Sequence, residues 1–351
     1  MKTIRLYAAI VFAAVALSSC NEDYGDAKMH TTINSDGTCS RSIDFKTESI
    51  DLKTEYEVIP SGIDLGSDWT SAPNDDTARV AYIRNFDNVE QMSQAMPLKL
   101  NKKPLSSKAT FEKRFRWFYT EYTFTEVFAT IGGNFPLPPT NYADAEEVNY
   151  WFTGQPNLIN GMNGAEAMER LSDLDSKMTN WFCDNVINSG LDYIYTHYDS
   201  IANPPVSREQ FAQLHDSLAT FIRNQSGKEI LTYDSKKGFQ EFFKSDAYSI
   251  FFSDSSYCAE GFRDHLVPVV NFTFLSVPYA LTMPGKVTDP GNGILSDSVI
   301  TYTLSGERLI PADFTITATS RQTNIWAYVV TAIVILLAIG SWVWKSTPKV
   351  P

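Results

Sequence analysis

The twenty residues from Ile325 to Trp344, IWAYVVTAIVILLAIGSWVW, carry no charge, and they constrain the chain more than any other stretch. As an α-helix such a run is about 30 Å long, enough to cross the hydrocarbon core of a bilayer. Trp326 and Tyr328 stand at one end and Trp342 and Trp344 at the other, as amphipathic rings do at the two membrane–water interfaces, and Lys345 and Lys349 follow at once. The expectation is a transmembrane helix over 325–344, a cytoplasmic tail over 345–351, and everything before Asn324 on the outer side. The alternative is a buried core helix, which rarely runs this long without a charge.

The other end of the chain predicts a second anchor. Lys2 and Arg5 make a basic start, Leu6 to Leu17 is apolar, and Leu17-Ser18-Ser19-Cys20 supplies small residues ending in cysteine. This segment resembles a bacterial lipoprotein signal peptide with its lipobox, although Ser19 stands where Gly or Ala is commoner. The resemblance implies that residues 1–19 are removed and that Cys20 carries lipid, followed by a lipidated linker over 20–28. An ordinary secretory signal is the alternative. Residues 21–28 reach at most about 27 Å, so the folded part starts close to the bilayer. The acidic Asn21-Glu22-Asp23 resembles the export tags of some surface lipoproteins. A helix as apolar as 325–344 opposes export, so both anchors are expected in the bacterial inner membrane with the ectodomain in the periplasm.

Between the anchors lie all 41 acidic residues but only 25 of the 29 basic ones, which leaves the ectodomain at a formal −16. Nucleic acid and anionic headgroups are poor partners for such a surface taken as a whole. Beyond Cys20 there are three cysteines, Cys39, Cys183 and Cys258, enough for one disulfide and one free thiol. No C-x-x-C and no Cys/His spacing suggests a metal site, and no cofactor is expected.

Residues 29–140 read as β-rich. Met29 to Phe45 alternates around Ser35-Asp36-Gly37, a short-turn signal. Residues 46–60 extend it, 61–77 read as loop, Arg79–Arg84 as a strand and Val89–Met96 as a helix. In ATFEKRFRWFYTEYTFTEVF, residues 109–128, the apolar positions change from odd to even. That pattern means a bulged strand or two strands whose buried faces swap. Trp117, Tyr119 and Tyr122 could form a stacking surface for sugar or lipid, against the plainer reading that these rings fill a core.

Residues 141–260 read as a helical insertion. Met168, Leu171, Leu174, Met178, Phe182 and Val186 share a face of a helix over 165–189. Ser207-Arg208-Glu209-Gln210 has capping-box form and opens a helix reaching Gly227, and 237–252 is a third candidate. Residues 261–320 return to strand patterns at Val267–Met283, Ser298–Leu304 and Phe314–Ala318. The predicted fold class is α+β: one antiparallel sheet built from N- and C-terminal segments, a helical insertion between them and the C-terminal membrane helix.

Two further resemblances bear on function. TTINSDGTCSRSI, and MPGKVTDPGNGILSDSVITYTL ahead of the membrane helix, are similar to the LppM-like membrane-anchored envelope lipoproteins, with Tyr302 where that family has Trp. The match covers the two ends of the chain and implies a β-rich fold that binds lipids or glycolipids at the envelope, with no ligand residue to carry over. Asp76-Thr77-Ala78, Asp199-Ser200-Ile201, Asp216-Ser217-Leu218 and Asp297-Ser298-Val299 resemble the O-glycosylation pattern of envelope proteins in Bacteroides-like bacteria, which makes Thr77, Ser200, Ser217 and Ser298 candidate acceptors.

The chain has no nucleophile elbow, P-loop, dinucleotide fingerprint or H-E-x-x-H. His30, His197, His215 and His265 fall in different predicted elements, and no catalytic residue is assigned. Glu146-Glu147, Glu166 with Glu169, and Asp173 with Asp175 are the carboxylate pairs a glycan hydrolase would need. The expected function is non-enzymatic binding of lipid, glycan or a partner protein beside the inner membrane. The alternatives are an envelope glycan hydrolase and a scaffold subunit of a membrane complex.

Overall fold

The computed structural model describes residues 23–46, 59–73, 76, 78–253 and 256–346. The expected signal segment, Cys20, the continuation over 47–58 and Thr77 lie outside the described residues.

Strands β1 (Lys28–Ile33) and β2 (Cys39–Lys46) form the hairpin expected around Ser35-Asp36-Gly37. Gly37 sits at φ +97°, and the Asp36 carboxylate accepts the Thr38 N–H at 3.0 Å and the Thr38 hydroxyl at 2.7 Å, which closes the turn. Outward from β2 come β4 (Arg79–Phe86) and the short edge strand β3 (Thr70–Ala72). On its other side β1 pairs in parallel with β9 (Ser276–Thr282), and β12 (Val299–Ser305) and β11 (Ile294–Ser296) complete seven strands in the order β11-β12-β9-β1-β2-β4-β3. A second sheet of four strands, β10-β13-β8-β7, is built from β7 (Ser107–Phe115), β8 (Tyr119–Phe128), β10 (Lys286–Asp289) and β13 (Phe314–Thr323).

N- and C-terminal segments do pair, but into two sheets rather than one, and the larger sheet is mixed rather than antiparallel. The reason lies in the alternation. In β8 every second residue from Thr120 to Phe128 is buried, and β2, β12 and β13 repeat the pattern over most of their length. Each sheet therefore has one apolar face, and here the two sheets cover each other's. Phe45, Phe124, Phe128, Tyr279 and Ile316 meet in that shared core. The changing phase of 109–128 resolves into β7 and β8 with a tip at 116–118. Helix α1 (Val89–Gln94), capped by the Asn88 side chain on the Gln91 N–H, buries Val89 and Met92 in the same core, and a two-residue ribbon, β5 (Lys99–Leu100) and β6 (Lys103–Pro104), follows it.

Between β8 and β9 the chain leaves the sandwich for a helical block with its own core. Helix α2 (Ala145–Thr153) starts at an Asp144–Glu147 capping box, and α3 (Gly164–Thr196) at an Asn163–Glu166 box. Helix α3 is 33 residues long, seven longer at its C-terminal end than its periodicity predicts. Its expected apolar face starts late: Met168 is 68% exposed, whereas from Leu174 onward most positions are buried whichever way they point. The box at Ser207 opens α4 (Arg208–Gln213), but the backbone breaks at Leu214 before α5 (His215–Ser226) continues to Gly227. Helix α6 (Ser235–Phe243) stops at Lys244, which lies at φ +52°.

The largest correction falls at the end of the block. Val267–Val270, read as strand for its β-branched residues, lies in helix α7 (Tyr257–Val270), so the helical block passes residue 260 and β9 begins only at Ser276. Val267, Val269 and Val270 are all buried. Their burial against the block outweighs both local propensity and the backbone bond lost at Pro268, which stands within the last turn.

The final element is α8 (Ile325–Ser346), joined to β13 by Asn324 alone. Its window Ile325–Trp342 has a mean hydropathy of 2.1 and is 6% buried, so it is not a core helix, and by length and composition it is able to cross a bilayer. The architecture is thus mixed α+β with one such C-terminal helix.

Candidate functional site: an apolar cavity among the helices

Helices α3, α5, α6 and α7 do not close completely on one another. They leave a partly open cavity of about 170 Å³. Val186, Ile187, Leu191 and Ile194 of α3 form one wall, Ile222 of α5 with Ile230 and Leu231 a second, and Phe239, Phe252, Phe262 and Leu266 the rest. Gly190 is the narrow point: a Cβ there would stand 3.1 Å from the Phe262 ring, so glycine sets how closely α7 approaches α3. Only Tyr233, Ser235 and Arg263 bring polar side-chain groups to the lining, and no carboxylate does. A cavity of this size and character accepts apolar groups and offers water too few partners.

The acidic pairs lie outside the cavity lining, and four of their six carboxylates, Glu147, Glu166, Asp173 and Asp175, have partners. Glu147 is 2% exposed, and its carboxylate accepts from Arg170 and Lys177, each at 2.9 Å, and from the Asp144 backbone N–H at 3.1 Å. Asp173 pairs with Lys177 at 2.9 Å, and Glu166 caps α3. These carboxylates close helix ends and tie α2 to α3, and do not face each other across a cleft.

Of the histidines, only His215 meets an acidic sequence neighbour, with Nδ1 3.1 Å from Asp216 Oδ1 at the surface. His197 stacks on Tyr193 with centroids 4.0 Å apart, and its Nδ1 lies 2.9 Å from the Tyr193 carbonyl, while Asp199 pairs with Arg208. His265 also packs against Tyr193, with ring centroids 5.3 Å apart; burial lowers its pKa, against an opposing pull from Asp192. His30 Nε2 lies 2.9 Å from Thr282 Oγ1. Cys39, Cys183 and Cys258 are all free thiols, the first two buried, and burial pushes Cys39 up to about 11. Among the described residues no group of three His, Cys, Asp or Glu is placed to hold a metal ion.

The three aromatics singled out in 109–128 are separated by the fold. Tyr122 is 2% exposed and stacks on Phe111, with ring centroids 5.7 Å apart, so it belongs to the sandwich core. Tyr119 lies under the Arg321 guanidinium, and Trp117 is 46% exposed at the β7–β8 tip. They make no common surface, because Tyr119 and Tyr122 stand three residues apart on β8 and so on opposite faces of it, and Trp117 lies in the turn before it. Of the candidate glycosylation acceptors, Ser200, Ser217 and Ser298 are exposed, Ser217 on α5 and Ser298 in a turn beside Asp297 at φ +55°.

One arrangement escaped the sequence reading. Between the sheets, Arg41 Nη2 donates to Glu126 Oε2 at 2.7 Å, Arg41 Nε donates to Thr31 Oγ1 at 3.1 Å, and the Tyr279 hydroxyl lies 2.9 Å from Glu126 and 3.0 Å from Thr31. Ser107 donates to the other carboxylate oxygen at 2.8 Å. Arg41, Glu126, Tyr279 and Thr31 are fully buried. Burial and the neighbouring Glu126 raise the Tyr279 pKa, so its phenol stays protonated. A signal for this network existed: Arg41 falls in phase with Cys39, Ile43 and Phe45, and Glu126 with Tyr122, Phe124 and Phe128.

No family model matches the chain, and no curated protein and no solved structure gives a significant match.

Proposed function

We propose that this chain is an envelope lipoprotein of the bacterial inner membrane, anchored through Cys20 and α8, that binds an apolar ligand in the cavity of its helical block. The observation that carries the reading is a lining in which three residues of fifteen are polar and none is acidic. Each methylene buried there contributes about 0.8 kcal/mol. The polar groups of Tyr233, Ser235 and Arg263 suit the head of an amphiphile, so the ligand class is a lipid or the acyl part of a glycolipid. The resemblance of the chain's ends to LppM-like lipoproteins agrees with this class. The glycan-hydrolase reading lacks support at this cavity, since its two carboxylates would have to come from elsewhere.

The test is photocrosslinking of the full chain in its membrane with a diazirine-bearing fatty acid, followed by peptide mapping. Adducts are expected within 186–194, 222–239 and 252–266, and Ile222→Phe and Ile230→Phe, which fill the cavity, should reduce them at least tenfold. Adducts confined to α8, or unchanged in both filled variants, would sink the proposal.

A further inference from the structure

The tip of the β7–β8 hairpin is fastened to the first turns of α8. Asn324 Nδ2 donates to the Arg116 carbonyl at 2.8 Å and to the Trp117 carbonyl at 3.3 Å, its Oδ1 accepts from Thr120 at 3.1 Å, and its backbone N–H donates to the Phe118 carbonyl at 2.9 Å. Trp117 Nε1 donates to Thr331 Oγ1 at 2.8 Å. The rings of Phe115 and Trp117 lie 6.2 and 5.4 Å from Trp326, and Phe118 lies 4.7 Å from Tyr328. Even so packed, Phe115, Trp117 and Phe118 stay 59%, 46% and 39% exposed. Thr331 is six residues past Ile325, about 9 Å along the axis. A helix entering the bilayer at Ile325 therefore takes the tip in with it to the depth where aromatic rings are most favoured.

Behind the aromatics runs a line of charge. The strand register sets Arg114, Glu121, Arg321 and Lys286 side by side across the four-stranded sheet, about 10 Å up the strands from Asn324. With Lys113 and Arg116, this edge carries five cations against three carboxylates, Glu112, Glu121 and Asp36, in a chain whose formal charge is −12. Arg114 pairs with Glu112 and Arg321 with Glu121, each at 2.8 Å. Arg116 and Lys286 are exposed and make no ion pair among the described residues. The edge is thus opposite in sign to the ectodomain and lies within a long side chain's reach of a headgroup layer.

The geometry points to a lipid-contact element: the β7–β8 tip sits in the periplasmic leaflet of the membrane that α8 crosses, with Phe115, Trp117 and Phe118 at the acyl boundary and the cation line on anionic phosphate headgroups. This rests on the transmembrane placement of α8, and it makes the ectodomain a body held at one height and tilt instead of one swinging on a tether.

The test uses the full chain in vesicles containing lipids brominated either near the headgroup or near the chain end. The difference in fluorescence between wild type and Trp117→Phe isolates Trp117, while Trp342 and Trp344 report on α8. Quenching of Trp117 by the headgroup-proximal bromines is expected. It should be stronger with brominated phosphatidylglycerol than with brominated phosphatidylcholine at equal mole fraction, through local enrichment on the order of fivefold per unpaired cation. Arg116→Gln with Lys286→Gln should abolish that preference and leave the quenching itself. A Trp117 signal that is red-shifted and unquenched while the α8 tryptophans are quenched overturns the inference and leaves the membrane helix standing. Loss of quenching at α8 as well overturns both. Quenching without an anionic preference overturns the headgroup assignment.

Discussion

At the scale of single residues, the strongest structural commitment is a pair of opposite charges with no access to water. Arg41 belongs to the seven-stranded sheet and Glu126 to the four-stranded one, so their 2.7 Å contact pins one sheet against the other. Forming such a pair gives little net stability, because desolvation cancels most of the attraction, but breaking it strands a charge. Arg41→Ala or Glu126→Ala should therefore cost about 3–5 kcal/mol, whereas Arg41→Met combined with Glu126→Leu should recover most of that loss. Chemical denaturation of the detergent-solubilised chain followed by circular dichroism measures both. Equal losses in the single and double variants would mean that the pair is not what joins the sheets. The cap at Ser207 was legible, since a cap is a local hydrogen-bond problem, whereas the equivalent Asn163–Glu166 box on the long helix went unread. The plainer reading that the aromatic rings of 109–128 fill a core holds for Tyr122 and fails for Trp117, which is 46% exposed, because alternation shows which face a ring lies on and leaves open what covers that face.

At the scale of elements, Asn324 is the joint. It ends β13, starts α8 and satisfies the backbone of the neighbouring hairpin tip, so a strand and a membrane-length helix meet with no slack between them. Asn324→Ala removes those side-chain bonds and should free the tip at a cost of about 1–3 kcal/mol. Faster tryptic cleavage after Arg116 in the reconstituted variant, with α8 still membrane-embedded, is the expected sign. An unchanged cleavage rate would show that the ring contacts with Trp326 and Tyr328 suffice alone. The phase change in 109–128 narrowed that stretch to one bulged strand or two strands, and the structure makes it two. The sequence alone misassigned Val267–Val270, because a β-branched run states a preference of about a few tenths of a kcal/mol per residue, and tertiary burial is several times larger.

For the whole molecule, the sandwich and the helical block bury separate cores. The sandwich connects to α8 through β13 and the hairpin tip, and the block holds the cavity. The two anchors proposed above make a sharp prediction. Cys20→Ser should stay in the membrane fraction through α8, truncation after Thr323 should stay there through the lipid, and the double variant should appear in the aqueous fraction. Carbonate extraction and immunoblotting decide this. Release of Cys20→Ser alone would show that α8 does not span the bilayer.

The sequence by itself determined what local chemistry can determine: an uncharged helix of membrane length, a hairpin at Asp36-Gly37, a helix opened by Ser207, and the alternation that marks sheets with one buried face. The tertiary structure alone decided that β1 pairs in parallel with β9, that Arg41 meets Glu126, and that the hairpin tip at Trp117 seats on α8. It alone also decided that four helices leave a cavity around Gly190. Each of these depends on two or more segments far apart in the chain arriving at one place. A periodicity says which way a side chain points, and only the packed chain says what stands opposite it.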